Sequence, residues 1–439
     1  MDVITIAVIT IILMLILVLL GVHIGVALSL MSVLGIWLAV EDIQVAINIL
    51  STTSFQAIRD YVFGVIPLFV LMGLLMNMSG ASSELYNAFN VLLRRVKGGL
   101  GIATVGANAI FATITGVSVA SAAVFSKVSL QPMLDLKYDK RFALGTIAGS
   151  SVLGMLIPPS LLLIIYGMLS EVSIGKLFMA GIMPGILLSI IYGIGIYVIA
   201  RLKPEMAGGN EKIASTKWNK NDLKALTKPW ILGVLVLLVL GGIYGGFFTP
   251  TEAGGVGAFG ALLLVIFKKR LNRKDFLGTL IETGYTSASI LFLLIAAQMY
   301  SRMLSMSGVL NKINELVSGL SVTPVIIIII FMLIVLLLGM VLDSTSILLI
   351  CMPIMIPIVS ALGYDLIWFG IVAVVAVEMG LLTPPFGLVV YSMKSALGGE
   401  ATIEDIFRGS VPFLVMMLLT LIILILIPEI SLWLPNLAK

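Results

Sequence analysis

The stretch GMLIPPSLLLIIYG, Gly154 to Gly167, is apolar enough to lie in a bilayer, yet it carries Pro158 and Pro159 near its centre. A second stretch, GLLTPPFGLVVYS from Gly380 to Ser392, carries Pro384 and Pro385, each 226 residues after its counterpart. A proline inside a helix removes a backbone donor and clashes with the preceding turn, at about 3 kcal/mol. In hydrocarbon the freed carbonyls have no water to turn to, so unwound backbone persists only where protein, an ion or a substrate satisfies it. The repeated doublet therefore predicts two broken transmembrane helices in matching places, about 143–170 and 367–397. Unwound backbone at corresponding positions of two repeats points to a transport site. Two proline-kinked helices with packing roles only are the competing reading.

Composition agrees with a membrane solution. Of 439 residues, 60% are hydrophobic and 11% charged, where a soluble chain carries roughly a quarter charged. Apolar runs long enough to cross a hydrocarbon core of ~30 Å recur from end to end. Complete spans are expected near 3–20, 22–40, 62–79, 143–170, 178–200, 230–247, 250–267, 277–304, 367–397 and 411–428. The first run, Val3 to Leu20, has no positive region before it and a second span directly after, unlike a cleavable signal. Cys351 is the one cysteine, which excludes a disulfide within the chain, and His23 is the one histidine, which argues against a histidine-built metal site. No Walker, dinucleotide-binding, HExxH or GxSxG pattern occurs, so neither ATP-driven transport nor soluble-type catalysis has support.

Two further apolar segments, about 99–134 and 322–360, are interrupted midway by small and polar residues. Each reads as a re-entrant hairpin of two half-length helices meeting inside the membrane. With the N-terminus outside, 21 of the 26 Lys and Arg fall on inside segments, the arrangement the positive-inside rule prefers. The C-terminus is then outside as well. The first hairpin opens to the inside and the second to the outside.

The polar, basic run 201–229 reads as a cytoplasmic linker between similar halves. MNMSG ending at Gly80 matches LSMSG ending at Gly308, and DLKYD ending at Asp139 matches ALGYD ending at Asp365. Ser118 matches Ser344. The expected organisation is N-terminal scaffold helices (1–61), a first repeat (62–200), the linker (201–229), further scaffold helices (230–276) and an inverted second repeat (277–430). The fold class is an all-α polytopic membrane protein of two inverted repeats, each with a hairpin and a broken helix.

The hairpin tips supply the candidate site. The first offers Thr115, Gly116, Ser118 and Ser121 as hydroxyls and close backbone approach; the second clusters Asp343, Ser344, Thr345 and Ser346 in an apolar run. An intramembrane carboxylate is expensive and usually functional. Asp343 reads as a Na⁺ ligand with Thr383 and nearby carbonyls completing the cage, or as the N-cap of a half-helix. The serines serve a site or plain helix packing. Glu378 faces the cavity or a partner helix. Glu171 reads as a boundary residue, Arg302 as an interface residue ahead of a contact to an anionic substrate, and His23 as a packing residue ahead of a proton relay. Residues 81–97 read as an amphipathic arm bracing the first hairpin.

YGGFFTPTEAGGVGAFGALL, Tyr244 to Leu263, resembles a signature of the large membrane subunit (DctM/SiaM type) of tripartite ATP-independent periplasmic, or TRAP, transporters. Its TPTEA core is Thr249, Pro250, Thr251, Glu252 and Ala253. IPPS at Ile157 to Ser160, TPP at Thr383 to Pro385 and KKRLNRKDF after the signature also look like that family. The resemblance implies a permease and no enzyme, in the bacterial inner membrane, with elevator-type architecture and no organic cofactor. It implies two partners, a small four-helix membrane subunit and a periplasmic substrate-binding protein, and no nucleic acid. The substrate would be an organic acid of the C4-dicarboxylate, keto acid or sialic acid type, and Na⁺ the coupling ion. By the family pattern the first ion site takes Gly116, Ser118 and the break from Ser151 to Pro158. The second takes Asp343, Ser344 and Thr383, with Thr345 beside them. The anion would sit between the tips, against Ser118, Ser160, Ser344 and Thr383. The TPTEA segment is expected to be architecture. Only two residues precede Val3, so the small subunit is expected on a separate chain. The alternative kept open is a self-sufficient Na⁺/carboxylate symporter; a channel or membrane enzyme lacks a polar pore stripe or a second ionisable group near Asp343.

Overall fold

The computed structural model describes residues 3–59, 61–208, 220–312, 315 and 323–437. Among these the regular structure is helical, with no strand. Eight helices are long and apolar enough to cross a membrane, from Tyr61–Met78 to Ile403–Leu426. Val3–Leu19 and Ile24–Val40, expected as full spans, are 17 residues each, or about 25 Å, at the short end for a bilayer. Exposed apolar stripes show where lipid lies. Ile186, Ile190, Ile194 and Val198 repeat every fourth residue along Ile174–Leu202, which places them on one outward face.

The internal repeat has a local physical cause at each matching motif. Both MSG motifs end a helix: Gly80 and Gly308 take φ of 72° and 66°, and Ser79 and Ser307 each donate 2.7 Å hydroxyl bonds to carbonyls three residues back. Both motifs ending in YD begin a broken span. Asp139 caps Lys140–Ser151 by accepting the Phe142 N–H at 2.9 Å, and Asp365 caps Leu366–Gly380 by accepting the Ile367 N–H at 2.7 Å. Two residues earlier, Lys137 and Gly363 both adopt a left-handed turn.

Several long helices are held by close contacts. Pro250–Phe267 lies on Tyr61–Met78, and Arg273–Met306 on Ile24–Val40. Gly254 and Gly257 face Leu68 and Met72, so small residues let these helices approach. The TPTEA segment starts the first of these helices with a full capping box. The Thr249 hydroxyl accepts the Glu252 N–H at 3.3 Å, and the Glu252 carboxylate accepts the Thr249 N–H at 2.8 Å, with Pro250 at the first helical position. Thr249→Ala should lower stability by about 1 kcal/mol, read as an earlier thermal unfolding of the purified chain.

Three helices go beyond the sequence expectation. Ile43–Arg59 follows the second span, Glu429–Leu437 follows the last, and Lys220–Thr227 forms within the segment read as a polar linker. The last is held by a two-pronged ion pair from Arg94 to Asp222 at 3.0 and 2.7 Å. Residues 209–219 of that linker lie outside the described residues, as does the start of the second hairpin at 322. The arm Ala81–Leu93 packs along Gly99–Thr115, with Phe89 against Gly106.

Candidate functional site

The first hairpin is Gly99–Thr115 and Ser118–Asp135; the second is Pro324–Gly339 and Ser344–Ala361. The first broken span runs Lys140–Ser151, Leu153–Leu156, a break at 157–160 and Leu161–Ser170. The second runs Leu366–Gly380, a break at 381–387 and Leu388–Leu397. Both proline pairs sit in the breaks, and the Pro158–Pro159 and Pro384–Pro385 bonds are both cis.

Each break satisfies its loosened backbone on the hairpin of its own half. The Leu161 N–H donates to the Gly116 carbonyl at 3.3 Å, and the Phe386 N–H donates to the Met340 carbonyl at 3.2 Å. Glycine at one matched position lets them touch. A Cβ on Gly154 would stand 3.1 Å from the Val117 carbonyl carbon, and one on Gly380 would stand 2.5 Å from the Gly339 Cα. Gly116 turns the first tip with φ of 62°, a conformation that favours glycine, and a Cβ there would lie 2.7 Å from the Pro159 oxygen.

The halves then interlock. Leu388–Leu397 packs on Ser118–Asp135, with the Ser392 hydroxyl donating to the Val119 carbonyl at 3.0 Å. Reciprocally, Leu161–Ser170 packs on Ser344–Ala361. The Tyr166 hydroxyl donates to the Leu366 carbonyl at 2.6 Å. Both breaks and both tips thus belong to one cluster.

Capping within the cluster alternates. Asp343 caps the second tip's outgoing helix: its carboxylate accepts the Ser346 N–H at 3.0 Å and the Ser346 hydroxyl. Ser160 caps the first break's outgoing helix, accepting the Leu163 N–H at 3.3 Å while its hydroxyl donates to the Met155 carbonyl. By contrast, Ser118–Asp135 and Leu388–Leu397 begin at Val117 and Gly387 with no side-chain cap. The first N–H groups of such helices form a ready anion site. These two uncapped helices pack on each other, as the two capped ones do.

The sequence-predicted residues fall within this cluster in different environments. Ser118 and Ser344, the first residues of the two outgoing helices, are buried at 0% and 5% exposure. Ser151 and Ser160 are fully buried, and the Ser151 hydroxyl donates to the Ala148 carbonyl at 2.7 Å. Asp343, Thr345 and Thr383 are half-buried, and the Thr383 hydroxyl donates to the Met379 carbonyl at 2.7 Å. Pro158 is buried, whereas Phe386 beside the second proline pair is 52% exposed. The first break is therefore covered and the second open. Arg302 donates to Gln56 at 2.7 Å, away from the tips. A cavity of about 140 Å³ lies beside the first tip where it meets Tyr61–Met78 and Arg273–Met306, lined by Asn77, Thr115, Val117, Ala120, Glu282 and Thr286 among others.

Two features escaped the sequence reading. Asn108 is buried, donates to the Ser150 hydroxyl at 2.8 Å and accepts from Ser121 at 2.6 Å, so it ties both hairpin helices to the first broken span. A lone Asn in an apolar run was the available signal. Glu378, left between cavity and partner helix, is 1% exposed and lies between the two tip serines. Only folding brings those serines together.

No ionisable cluster among the described residues forms a multi-carboxylate or histidine metal site. The donor set of hydroxyls, carbonyls and single carboxylates is one of hard oxygen ligands, without the thiolates or imidazoles that favour zinc or copper.

Comparison with known proteins places this arrangement. The profile of the family described as "Tripartite ATP-independent periplasmic transporter, DctM component" matches residues 11–430. The C4-dicarboxylate TRAP transporter large permease protein DctM of Pseudomonas aeruginosa is 33% identical over 89% of this chain and 90% of its own length. The sialic acid TRAP transporter large permease protein SiaM of Vibrio cholerae is 29% identical over the same shares. The isethionate TRAP transporter permease protein DctMQ of Oleidesulfovibrio alaskensis is 29% identical over 94% of this chain and 64% of its own length. In solved structures, the Alcanivorax borkumensis YdaH transporter superposes with a TM-score of 0.61 at 16% identity, covering 89% of this chain and 90% of that one, a likeness of fold. A multi-pass helical protein with paired hairpins and broken spans, matched along nearly its whole length, belongs to the DctM-component family of tripartite ATP-independent periplasmic transporters and is a transport permease, not an enzyme.

Proposed function

We propose that this chain carries a small organic acid anion into the cell by Na⁺-coupled secondary transport, with an elevator movement. It sits in the bacterial inner membrane with both termini periplasmic, beside a small four-helix membrane subunit. A periplasmic binding protein delivers the substrate, of the C4-dicarboxylate, keto acid or sialic acid type. Its place in a tripartite system sets it apart from a self-sufficient symporter.

The observation that carries this reading is the single cluster of two tips and two breaks, in which two adjacent helices start without side-chain caps. Their N–H groups and dipoles favour a carboxylate. Hydroxyls and carbonyls of Gly116, Ser118, Ser151, Pro158, Asp343, Ser344, Thr345 and Thr383 are the candidate Na⁺ ligands. Ser118, Ser160, Ser344 and Thr383 are those facing the anion. Na⁺ neutralises carboxylate and carbonyl charge, which lets the anion dock and lowers the cost of moving the loaded site past an apolar scaffold. The cavity between the first tip and the scaffold supports a seam along which the interlocked body slides.

Asp343→Asn separates the ion role from the cap. Asparagine caps about as well as aspartate, so stability in KCl should stay within about 0.5 kcal/mol. A ligand that binds only the native state raises stability by mass action. The intact protein should unfold at a higher temperature in NaCl than in KCl of equal ionic strength, and the variant should lose most of that difference. An undiminished Na⁺ response in Asp343→Asn would leave this residue a cap alone.

A further inference from the structure

We infer that Glu378 is the charged ligand of a cation site lying between the two hairpin tips, with Ser118 and Ser344 as its neutral ligands. The inference rests on the Na⁺-coupled reading and deepens it, since it places one ion on both repeats at once rather than within either.

Glu378 is buried on Leu366–Gly380 of the second broken span. Position 152, its counterpart in the first half, is Val152. The repeat therefore does not require a carboxylate there. The Ser344 hydroxyl stands 3.4 Å from Glu378 Oε1. The Ser118 hydroxyl approaches the same carboxylate from the other half, outside normal hydrogen-bond geometry. Glu378 Oε2 and Ser118 Oγ are both buried without a hydrogen-bond partner, as is the hydroxyl of Tyr192, within the carboxylate's electrostatic reach.

Charge and distance point to a cation. An ionised carboxylate in this setting needs a compensating charge. The helices packed on Leu366–Gly380 carry their charged residues at or beside their ends: Lys176, Arg201, Glu404, Asp405, Arg408 and Glu429 within them, and Asp343 and Glu171 as caps. The Ser118 and Ser344 hydroxyls and Tyr192 are polar groups that interact with Glu378. A hydroxyl bonded directly to a carboxylate stands at about 2.5–2.7 Å, well short of the 3.4 Å seen for Ser344. Hard cations of Ca²⁺ size hold oxygens at about 2.3–2.6 Å, and Na⁺ is of similar size. Two such oxygens at right angles are then about 3.3–3.7 Å apart. One carboxylate matches one positive charge, so the ion is monovalent and of Na⁺ size.

The test uses the purified full chain, with thermal unfolding followed as Na⁺ replaces K⁺ at constant ionic strength. The wild type should show a saturable rise. In Glu378→Gln, a near-isostere, the midpoint should move at least fivefold or the rise should fall by at least half; a smaller change overturns the site. Glu378→Asp, which keeps the charge, should retain the response. Should Glu378→Gln not yield folded protein, Ser118→Ala with Ser344→Ala takes its place under the same criterion. A wild type that responds alike to Na⁺ and K⁺ overturns both this site and the coupling reading. A wild type that responds, with Glu378→Gln responding equally, overturns this site alone.

Discussion

Gly380→Val is expected to reduce uptake by roughly a hundredfold while the protein still inserts and folds its scaffold. A Cβ at this position would meet the Gly339 Cα at 2.5 Å and the Leu336 carbonyl at 2.8 Å. The obstacle is backbone, so no rotamer change relieves it, and overpacking of this kind costs about 1–3 kcal/mol. At the upper end, 3 kcal/mol corresponds to about a hundredfold in the population of the native contact. The break would be forced off the second hairpin, and with it the Phe386 N–H from the Met340 carbonyl. Gly154→Val at the matching place should be milder, because its nearest neighbours stand at 3.1–3.2 Å. Proteoliposomes holding the complete tripartite system, supplied with candidate organic acids, give the measurement. Uptake by Gly380→Val within threefold of wild type would show that this close approach does not serve transport.

Gly409→Val is expected to produce a large loss of stability. Lys140–Ser151 and Ile403–Leu426 cross with Gly145 and Gly409 in backbone contact, and a Cβ on either would overlap the other helix's main chain. Arg141 and Asp405 close the same crossing with an ion pair at 2.8 Å. Small residues let membrane helices approach where packing, not water exclusion, holds them together. Valine must part the helices, and a cost of about 3 kcal/mol or more follows. Thermal unfolding of the purified chain reads this directly. Gly233→Ala provides the control: nothing lies within 4 Å of a Cβ there, so it should be neutral or slightly stabilising. Equal unfolding temperatures for the two variants would sink the argument.

The class of protein and its internal symmetry were legible along the chain. Apolar run length is set by bilayer thickness, and helix breakers act locally, so Pro158, Pro159, Pro384 and Pro385 marked the broken spans without knowledge of any neighbour. The matching MSG and YD motifs were legible as repeats; the structure shows that they form helix ends, through caps and left-handed turns. TPTEA was legible as architecture and resolves into a capping box and a small-residue face. The short helices Ile43–Arg59 and Lys220–Thr227 were not legible, since polar amphipathic segments depend on partners such as the Arg94–Asp222 pair, whose members lie 128 residues apart. Which polar groups meet is settled by folding alone. Asp343 bonds within its own turn to Ser346, whereas Glu378, one acidic residue among many in the sequence, stands between serines from opposite halves. Burial and cross-repeat contact create its isolation from countercharge, and both depend on distances in space that spacing along the chain does not encode.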